Sequence, residues 1–304
     1  MAVISEGWRT DIQEKLYEGN EFINMSQNHD SEIVNGTVHI PQGGTQAAVT
    51  VNRSSFPATA AKRTDTDFSY TVDNYSVDPI HVQDFEELQL SYQKRSSVMG
   101  QQMDIISERI GTQTSYNWAP AGDNVKVIPT TGATTSAGPD GIVNRKKITL
   151  VDIASMAQKL DKDLVPKANR KLLMTSVLYY ELFTIDQIIS KDYMNGAALP
   201  MGVVAQLFGF DIYVRQTVIN YDITTLATPA KLAIGAAATA NDGFGCIAWH
   251  RDYVSKAEGA INVYYQENNP LYYGDVLSAD VAFGSSPLRN DARSIGVVGL
   301  VQGK

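Results

Sequence analysis

Apolar side chains recur every three, four or seven residues between Asp84 and Gly111. This spacing predicts a single long helix with one apolar face, about 40 Å in length at 1.5 Å of rise per residue. The stripe is irregular after Tyr92, which argues against a coiled coil and favours a helix lying across a sheet. The apolar face comprises Val82, Phe85, Leu88, Tyr92, Met99, Met103, Ile106 and Ile110. The polar face comprises Glu87, Gln89, Lys94, Arg95, Gln101, Gln102, Asp104 and Glu108.

Residues 1–35, ahead of this helix, predict a short amphipathic helix followed by an irregular arm. Phe22 and Ile23 stand in polar surroundings, so the segment has little core of its own. The pattern leaves open whether the arm packs on its own domain or lies on a neighbouring molecule. The apolar face of the short helix comprises Trp8, Ile12 and Leu16.

Residues 36–80 are rich in turn residues and strongly polar, with prolines at Pro41 and Pro57. Phe68, Tyr70 and Val72 alternate with polar residues, which is typical of a strand. Strands this polar cannot bury both faces. We therefore expect an extended β-hairpin that projects from the rest of the molecule.

A Gly-, Pro- and Thr-rich loop is predicted over residues 112–146, and a second helix after it. Thr149 is placed to cap that helix, with Asp152 completing a capping box. The apolar positions expected along it are Val151, Ala154, Met156, Leu160 and Leu164, before Pro166 ends it.

Strands and helices alternate after Pro166. KLLMTS reads as a buried strand and VLYYELFTIDQII as a helix with Leu178, Leu182, Ile185 and Ile189 on one side. Two short strands flank Gly209, and an alanine-rich loop follows them. Next come a strand (FGCIAWH), a short helix (RDYVSKAEG) and another strand (AINVYYQ).

The C-terminal region predicts two strands, Asp275–Ala282 and Ile295–Leu300, as neighbours in the sheet beneath the long helix. Gly284–Pro287 and Arg289–Arg293 would form the exposed turn between them. The side chains expected to face the helix are Leu277, Ala279 and Val281.

Composition excludes several functional classes. The net charge of −8 over 304 residues argues against a protein that binds duplex DNA tightly or by sequence. A single cysteine rules out an internal disulfide and fits a reducing compartment. The first fifteen residues carry acids and lack the apolar segment of a signal peptide. No apolar run approaches the roughly 20 residues of a membrane helix.

Catalytic and metal-binding patterns are also absent from the sequence. The four histidines, His29, His39, His81 and His250, have no metal-ligand spacing. Cys246 lies in an apolar strand and is expected to be a core residue. The carboxylate pairs are interpreted as solvated helix surfaces, and the acids beside Thr66 could hold Ca²⁺ but lack a loop motif. The two pairs are Glu181 with Asp186 and Asp161 with Asp163, and the acids that flank Thr66 are Asp65 and Asp67. We predict no catalytic residue, no cofactor and no metal site.

The order of the segments is more specific than any one motif. GTVHIP, FPATAAKRTDTDFSYTVDNYSVDPI and LSYQKRSSVMGQQ are followed by RKLLMTSVLYYEL, LFGFDIYVRQTV, IAWHRDYVSKAEG, YYGDVLSADVAFG and SIGVV. This succession resembles the major capsid protein of tailed bacteriophages, which has the Hong Kong type capsid fold. The resemblance spans nearly the whole chain.

The resemblance implies an α+β fold and a division of the chain. The expected parts are an N-terminal arm (1–35), an extended hairpin or E-loop (36–80), a peripheral domain with the long spine helix (81–165), an axial domain (166–262) and returning peripheral strands (263–304).

The resemblance implies a structural protein that assembles into hexamers and pentamers of an icosahedral head around double-stranded DNA. The DNA would be held by non-specific contact, with a portal and separate scaffolding or decoration proteins as further partners. The expected location is the virion capsid, assembled in the host cytoplasm, with no membrane partner. Two alternatives stay open: an encapsulin-like compartment shell, and an unrecognised soluble α/β enzyme.

Overall fold

A computed structural model of the chain describes residues 18–44, 49–54, 56–57, 60, 62–83, 94–123, 126–182, 184–185, 205–289 and 296–304. Within them the helices are α1 (Lys94–Trp118), α2 (Leu150–Lys162) and α3 (Ser176–Leu182). None of the described helices is long and apolar enough to cross a membrane.

The strands are short in the first half of the chain and longer in the second. They are β1 (Gln27–Asn28), β2 (Ile33–Val34), β3 (Thr37–Gln42), β4 (Thr66–Thr71), β5 (Asp73–Ser76), β6 (Ile80–Gln83), β7 (Val127–Pro129), β8 (Thr134–Ala137), β9 (Val143–Lys146), β10 (Arg170–Thr175), β11 (Ala205–Leu207), β12 (Phe210–Arg215), β13 (Ile219–Asp222), β14 (Ala230–Lys231), β15 (Asp242–His250), β16 (Val254–Asn269), β17 (Gly274–Pro287) and β18 (Val297–Val301).

The largest sheet has eight strands in the order β11-β12-β10-β15-β13-β14, with β18 paired to β15 and β7 paired to β18. Every residue of β10 and of β18 is buried. Strands covered on both faces carry continuous apolar runs instead of alternating ones. One face of this sheet packs against α2 and α3 through Met156, Leu160 and Leu178.

The other face of the eight-stranded sheet shares a core with α1 and a second sheet. Ile247 and Trp249 of β15 join Ile106 and Ile110 of α1 in one apolar cluster. Val281 of β17 belongs to the same cluster. The C-terminal half of α1 is therefore packed between two sheets, which agrees with the predicted helix lying across a sheet.

The second sheet has five strands in the order β1-β16-β17-β5, with β6 also paired to β17. Leu277, Ala279 and Val281 of β17 are buried beneath α1, as predicted. β16 and β17 run antiparallel over most of their lengths and form a long ribbon, and β5 and β6 pair along the other edge of β17.

The predicted pairing of the two C-terminal strands is wrong. β17 continues through Gly284–Pro287, where a turn was expected, and pairs with β16, β5 and β6. β18 pairs instead with β15 and β7 in the eight-stranded sheet. The run VVGLV does not alternate between apolar and polar residues, as a strand with one solvent-exposed face would. In the eight-stranded sheet both faces of β18 are buried. Most of the charged part of the predicted turn cannot be compared, because residues 290–295 lie outside the described residues.

The long helix ends later than predicted, and the structure describes it from Lys94 onward. Val82, assigned to its apolar face, lies in β6, and Phe85, Leu88 and Tyr92 fall outside the described residues. The helix passes through Gly111 and ends at Trp118, so the predicted loop over 112–146 begins with helix and also contains β7, β8 and β9. Gly111 is a point of close approach: a Cβ there would lie 1.9 Å from Oδ1 of Asn20.

Gln102 lies on the buried side of α1, although the sequence assigned it to the polar face. Its side chain is 0% exposed, and its Nε2 donates to the carbonyl of Leu277 at 3.4 Å. The apolar stripe drifts around the helix, so that Gln102, Ile106 and Ile110 form one buried row at intervals of four. An apolar count alone could not place a glutamine in that row.

The capping box of α2 is present. Thr149 Oγ1 accepts a hydrogen bond from the Asp152 amide at 3.3 Å, and Asp152 Oδ2 accepts from the Thr149 amide at 2.8 Å. Two of the expected apolar positions are wrong, because Val151 and Leu164 are exposed. Ile153 is buried in their place, since the helix starts at Leu150 and turns Ile153 toward the sheet.

The short helix predicted over residues 251–259 is largely strand. A single 3-10 turn spans Arg251–Tyr253, and β16 follows without a break. Pairing with β17 overrides the helix preference of Lys256, Ala257 and Glu258. The chain thus leaves the eight-stranded sheet at His250.

Candidate assembly surfaces

The predicted hairpin is formed by β3 and β4, which pair in antiparallel register from Thr37 opposite Thr71 to Gln42 opposite Thr66. Its root is anchored by Val38 and Tyr70. These two side chains pack with Ala257 of β16 in a small buried cluster. The hairpin is shorter than the predicted 36–80, because β5 and β6 leave it to pair with β17.

The hairpin tip, residues 43–65, exposes large apolar side chains. Val49 is 92% exposed, Val51 81% and Phe56 78%. Across the base of the tip, the amide of Gly44 donates to Asp65 Oδ1 at 3.0 Å, and Arg63 pairs with the same carboxylate. The hydrogen bond from Arg63 holds the pKa of the Asp65 carboxyl below its ordinary value. An apolar tip held on a polar stem is typical of a surface that contacts another molecule.

The distal part of the β16–β17 ribbon is a second exposed surface. Residues 260–268 of β16 are exposed throughout. β1 pairs with β16 at Ser255 and Lys256, and no described strand pairs with that edge farther along. An open edge of this length is a template for pairing with another chain.

Aromatic side chains are concentrated at the end of this ribbon. Leu271 and Tyr273 are more than 80% exposed, and His81 stacks on Tyr272 with ring centroids 5.3 Å apart. Tyr265 donates its hydroxyl to the buried Asp275 at 2.6 Å. That contact orders the ribbon end internally, so its exposed rings are presented on a fixed support.

The described part of the arm packs on its own chain. Phe22 and Ile23 are buried, although the sequence placed them in polar surroundings. The Phe22 ring meets Trp118 edge to face with centroids 5.8 Å apart, and Trp249 donates its indole N–H to the carbonyl of Met25 at 2.9 Å. For residues 18–33 the first of the two alternatives is therefore correct. The predicted helix with Trp8, Ile12 and Leu16 lies outside the described residues.

An ion pair with the buried Arg215 fixes the start of this segment. Glu18 lies 3.1 Å from Nε of Arg215, and it also accepts hydrogen bonds from the amides of Gln216 and Thr217. Burial lowers the pKa of the Arg215 guanidinium, and the Glu18 carboxylate offsets part of that effect. The segment thus ties the eight-stranded sheet to the edge of the five-stranded one.

A groove of about 440 Å³ lies where this segment, α1 and β16 meet. Its apolar lining includes Met103, Ile106, Ile261 and Phe283. Asn20, Ser107 and Glu258 form part of its polar rim. The groove is wide enough to admit a few side chains of another polypeptide.

The four histidines are far apart and are engaged locally. Nδ1 of His29 lies 2.7 Å from Glu32, and Nδ1 of His39 lies 2.8 Å from Asp67. His250 accepts from the amide of Asp252 at 3.2 Å. Within the described residues, no group of three histidines, cysteines or acids could hold a metal ion.

The candidate carboxylates and the cysteine are structural. Asp161 pairs with Arg170 at 2.6 Å, Asp163 pairs with Lys159, and Glu181 accepts from the amide of Ile148 at 3.4 Å. Asp186 lies outside the described residues. Cys246 is fully buried in β15, and burial raises the pKa of its thiol to about 12, which makes it unreactive at neutral pH.

The residues that sequence reasoning missed are those at the hairpin tip and the ribbon end. Val49-Thr50-Val51 alternates over too few positions to mark a strand, and Phe56 follows in a polar stretch. The signal was available as large apolar residues in a segment with no core to receive them. Tyr264, Leu271 and Tyr273 are the corresponding residues of the ribbon.

No family model matches the chain, and no curated protein matches it. Solved structures do match over nearly its whole length. The capsid structure of cyanophage P-SCSP1u aligns with a TM-score of 0.71 at 14% identity, covering 98% of this chain and 93% of that chain. The capsid of Ralstonia phage GP4 gives 0.68 at 10% identity, covering 99% and 96%. A protein of Mycobacterium phage Che8 gives 0.67 at 16% identity, covering 98% and 97%. The chain therefore has the α+β Hong Kong type capsid fold that the sequence resemblance predicted.

Proposed function

We propose that this chain is the major capsid protein of a tailed phage, which assembles into an icosahedral head shell around double-stranded DNA. The fold supports the proposal because the similar structures are phage capsids aligned end to end. The observation that carries it is the hairpin tip. A stem that is fixed at its root and exposes Val49, Val51 and Phe56 at its end gains stability only by burying them on another copy.

The two exposed surfaces support a lattice with several neighbours per copy. The hairpin tip and the ribbon end are separate features, so one copy can contact different neighbours through each. Repetition of a modest contact under closed symmetry yields a stable assembly even when each interface is small. In an icosahedral shell these contacts would be made within and between hexamers and pentamers.

The other partners follow from the same assignment. A portal would occupy one vertex, and scaffolding or decoration proteins would be separate chains. DNA would be retained by closure of the shell and by non-specific contact, which a chain of net charge −8 can accommodate. The protein would be assembled in the host cytoplasm and would reside in the virion capsid.

The proposal is of a structural protein without catalytic turnover. Among the described residues, the histidines, paired carboxylates and Cys246 considered as catalytic candidates are separately engaged in local contacts or buried. An unrecognised α/β enzyme is therefore the less supported alternative. A hydrolase and transferase screen that gave a reproducible, protein-dependent rate would favour it.

The groove beside α1 supports one second candidate, an encapsulin-like shell that holds a cargo protein. Its apolar lining, which includes Met103, Ile106 and Ile261, could receive a short peptide. The two candidates differ in what the shell encloses. Particles isolated from the natural source would contain DNA in the first case and a protein cargo in the second.

Electron microscopy of the purified chain tests the shell assignment. Negatively stained samples are expected to show closed shells or rings of capsomers tens of nanometres across. A chain that stays monomeric at high protein concentration, with and without added scaffolding protein from the same source, would contradict the proposal.

A further inference from the structure

A pocket of about 340 Å³ lies at the C-terminal end of α1, where the hairpin root, β14 and the end of β17 meet. Its walls include Phe68 and Trp118. Three cationic side chains line it: Lys126, Lys231 and Arg289. None of the described lining residues is an acid. This local excess of positive charge stands out in a chain whose net charge is −8.

The cations of the pocket have no carboxylate partner among the described residues. Lys231 is partly buried, and its ammonium donates to the carbonyl of Tyr116 at 2.9 Å and lies 4.5 Å from the centre of the Tyr116 ring. Both partners are neutral. The nearby acid Asp123 accepts from the backbone amide of Lys126 at 2.9 Å.

In the part of the chain that the structure describes, most other buried or partly buried cations pair with acids. The pairs are Lys159 with Asp163, Arg170 with Asp161, Lys171 with Asp211, and Arg215 with Glu18. Arg145 is an exception, and its guanidinium donates to the carbonyls of Ala240 and Asp242 and to the side chain of Asn144. Lys231, by contrast, contacts one carbonyl and one aromatic ring, both of Tyr116. Burial accordingly lowers the pKa of the Lys231 ammonium.

A desolvated cation without a counter-ion is costly, and an anion entering the pocket would remove that cost. Two ammonium groups and one guanidinium supply more positive charge than a single carboxylate neutralises. They match a phosphate, which carries more than one negative charge and can accept the bidentate fork of an arginine. The apolar walls would strengthen such contacts by excluding water.

We propose that the pocket bounded by Lys126, Lys231 and Arg289 binds a phosphate group, carried either by a nucleic-acid backbone or by a small phosphorylated molecule. The inference does not depend on the shell assignment, because it rests on the charges of one chain. The pocket would give this acidic chain one defined anion-binding site, in contrast to the broad basic surface of many proteins that bind nucleic acid.

Calorimetric titration of the full-length protein with inorganic phosphate, at constant ionic strength, tests the site. Saturable binding of one phosphate per chain is expected. Replacing Lys126 and Arg289 together (K126Q with R289Q) should weaken it by about ten-fold or more, since each contributes a charge-assisted contact. The matched control neutralises two exposed lysines elsewhere (K162Q with K167Q) and should leave it within about two-fold.

A second arm identifies the source of the phosphate. A duplex of twelve base pairs that competes with phosphate, and loses affinity in the K126Q and R289Q variant, assigns the site to a nucleic-acid backbone. Phosphate binding without competition by the duplex assigns it to a small phosphorylated molecule. No saturable phosphate binding to the unaltered chain, or an equal loss in the control variant, overturns the proposal. Arg289→Gln alone, at an exposed position, gives the same readout if the double variant does not fold.

Discussion

The eight-stranded sheet and the hairpin tip differ in whether their apolar side chains are buried or exposed to solvent. Both contain valine-rich stretches, VVGLV in β18 and VTV at residues 49–51. In β18 every side chain is buried between strands and helices of the same molecule. In the tip Val49 and Val51 are almost fully exposed. Under the proposed shell function, apolar residues serve folding in β18 and association in the hairpin tip.

The largest expected effect comes from removing β18. Deletion of residues 296–304 removes the strand that pairs with both β15 and β7 and exposes the core residues that this strand covers. Four buried aliphatic side chains at about 1.5–3 kcal/mol each account for most of the stability of a typical domain. We expect an insoluble chain or one without a cooperative melt in far-UV circular dichroism.

The control for this deletion removes only the exposed Lys304, and it should behave like the full chain. A 296–304 deletion that still melted cooperatively within a few degrees of the full chain would show that β18 is dispensable. The placement of the C-terminus in the core would then be wrong.

Replacing the hairpin tip should have the opposite outcome. Residues 44–64 are exchanged for a short Gly-Ser linker, which keeps the pairing of Gln42 with Thr66. Thermal melting of the subunit should change little, because no described side chain between residues 44 and 64 belongs to a buried apolar cluster. Assembly should be lost in sedimentation velocity, since the apolar contact is gone. Normal particles from this variant would remove the tip from the assembly contact.

Two adjacent isoleucines of α1 give a matched pair. Ile106 is 4% exposed and packs in the core shared by the two sheets, whereas Ile105 is 44% exposed. Ile106→Ala should lower the free energy of unfolding by about 2–5 kcal/mol, and Ile105→Ala by about 0.5 kcal/mol or less. Urea denaturation measures both. Equal losses would mean that the helix is rotated from the orientation described.

The smallest expected effect is at Gln102. Its Oε1 is buried and has no hydrogen-bond partner among the described residues, while Nε2 makes one long contact. Gln102→Met keeps the length of the side chain and removes the unsatisfied acceptor. We expect a change between zero and about 1 kcal/mol in the stabilising direction. A loss above about 2 kcal/mol would indicate a stronger polar contact at this position.

Regular patterns in the sequence predicted the elements that local physics controls. The Thr149 capping box, the hairpin strands flanking the tip and the buried face of β17 depend on residues close in sequence or on strict alternation. These features need no knowledge of distant partners. The same is true of Cys246, whose apolar neighbours already indicated a core position.

The wrong predictions concern elements whose conformation depends on contacts with segments that are distant in sequence. Gly111 looked like a helix end, but Asn20 approaches it closely and the helix continues. β18 was assigned to the nearer sheet because a sequence does not state which of two sheets a strand completes. Lys256, Ala257 and Glu258 have helix-forming side chains, yet pairing with β17 holds this segment extended. The tip could be recognised as an exposed apolar surface only after the structure showed that Val49, Val51 and Phe56 do not pack into a core.

The reactivity of one engineered cysteine tests the central claim most directly, because Cys246 is fully buried and should be silent. Val51→Cys places a thiol on the tip, and its alkylation rate is measured by mass spectrometry before and after assembly. We expect fast labelling of the unassembled chain and labelling slower by about ten-fold or more in particles, with Cys246 unlabelled in both. Equal rates at residue 51 in the free and assembled states would contradict the account.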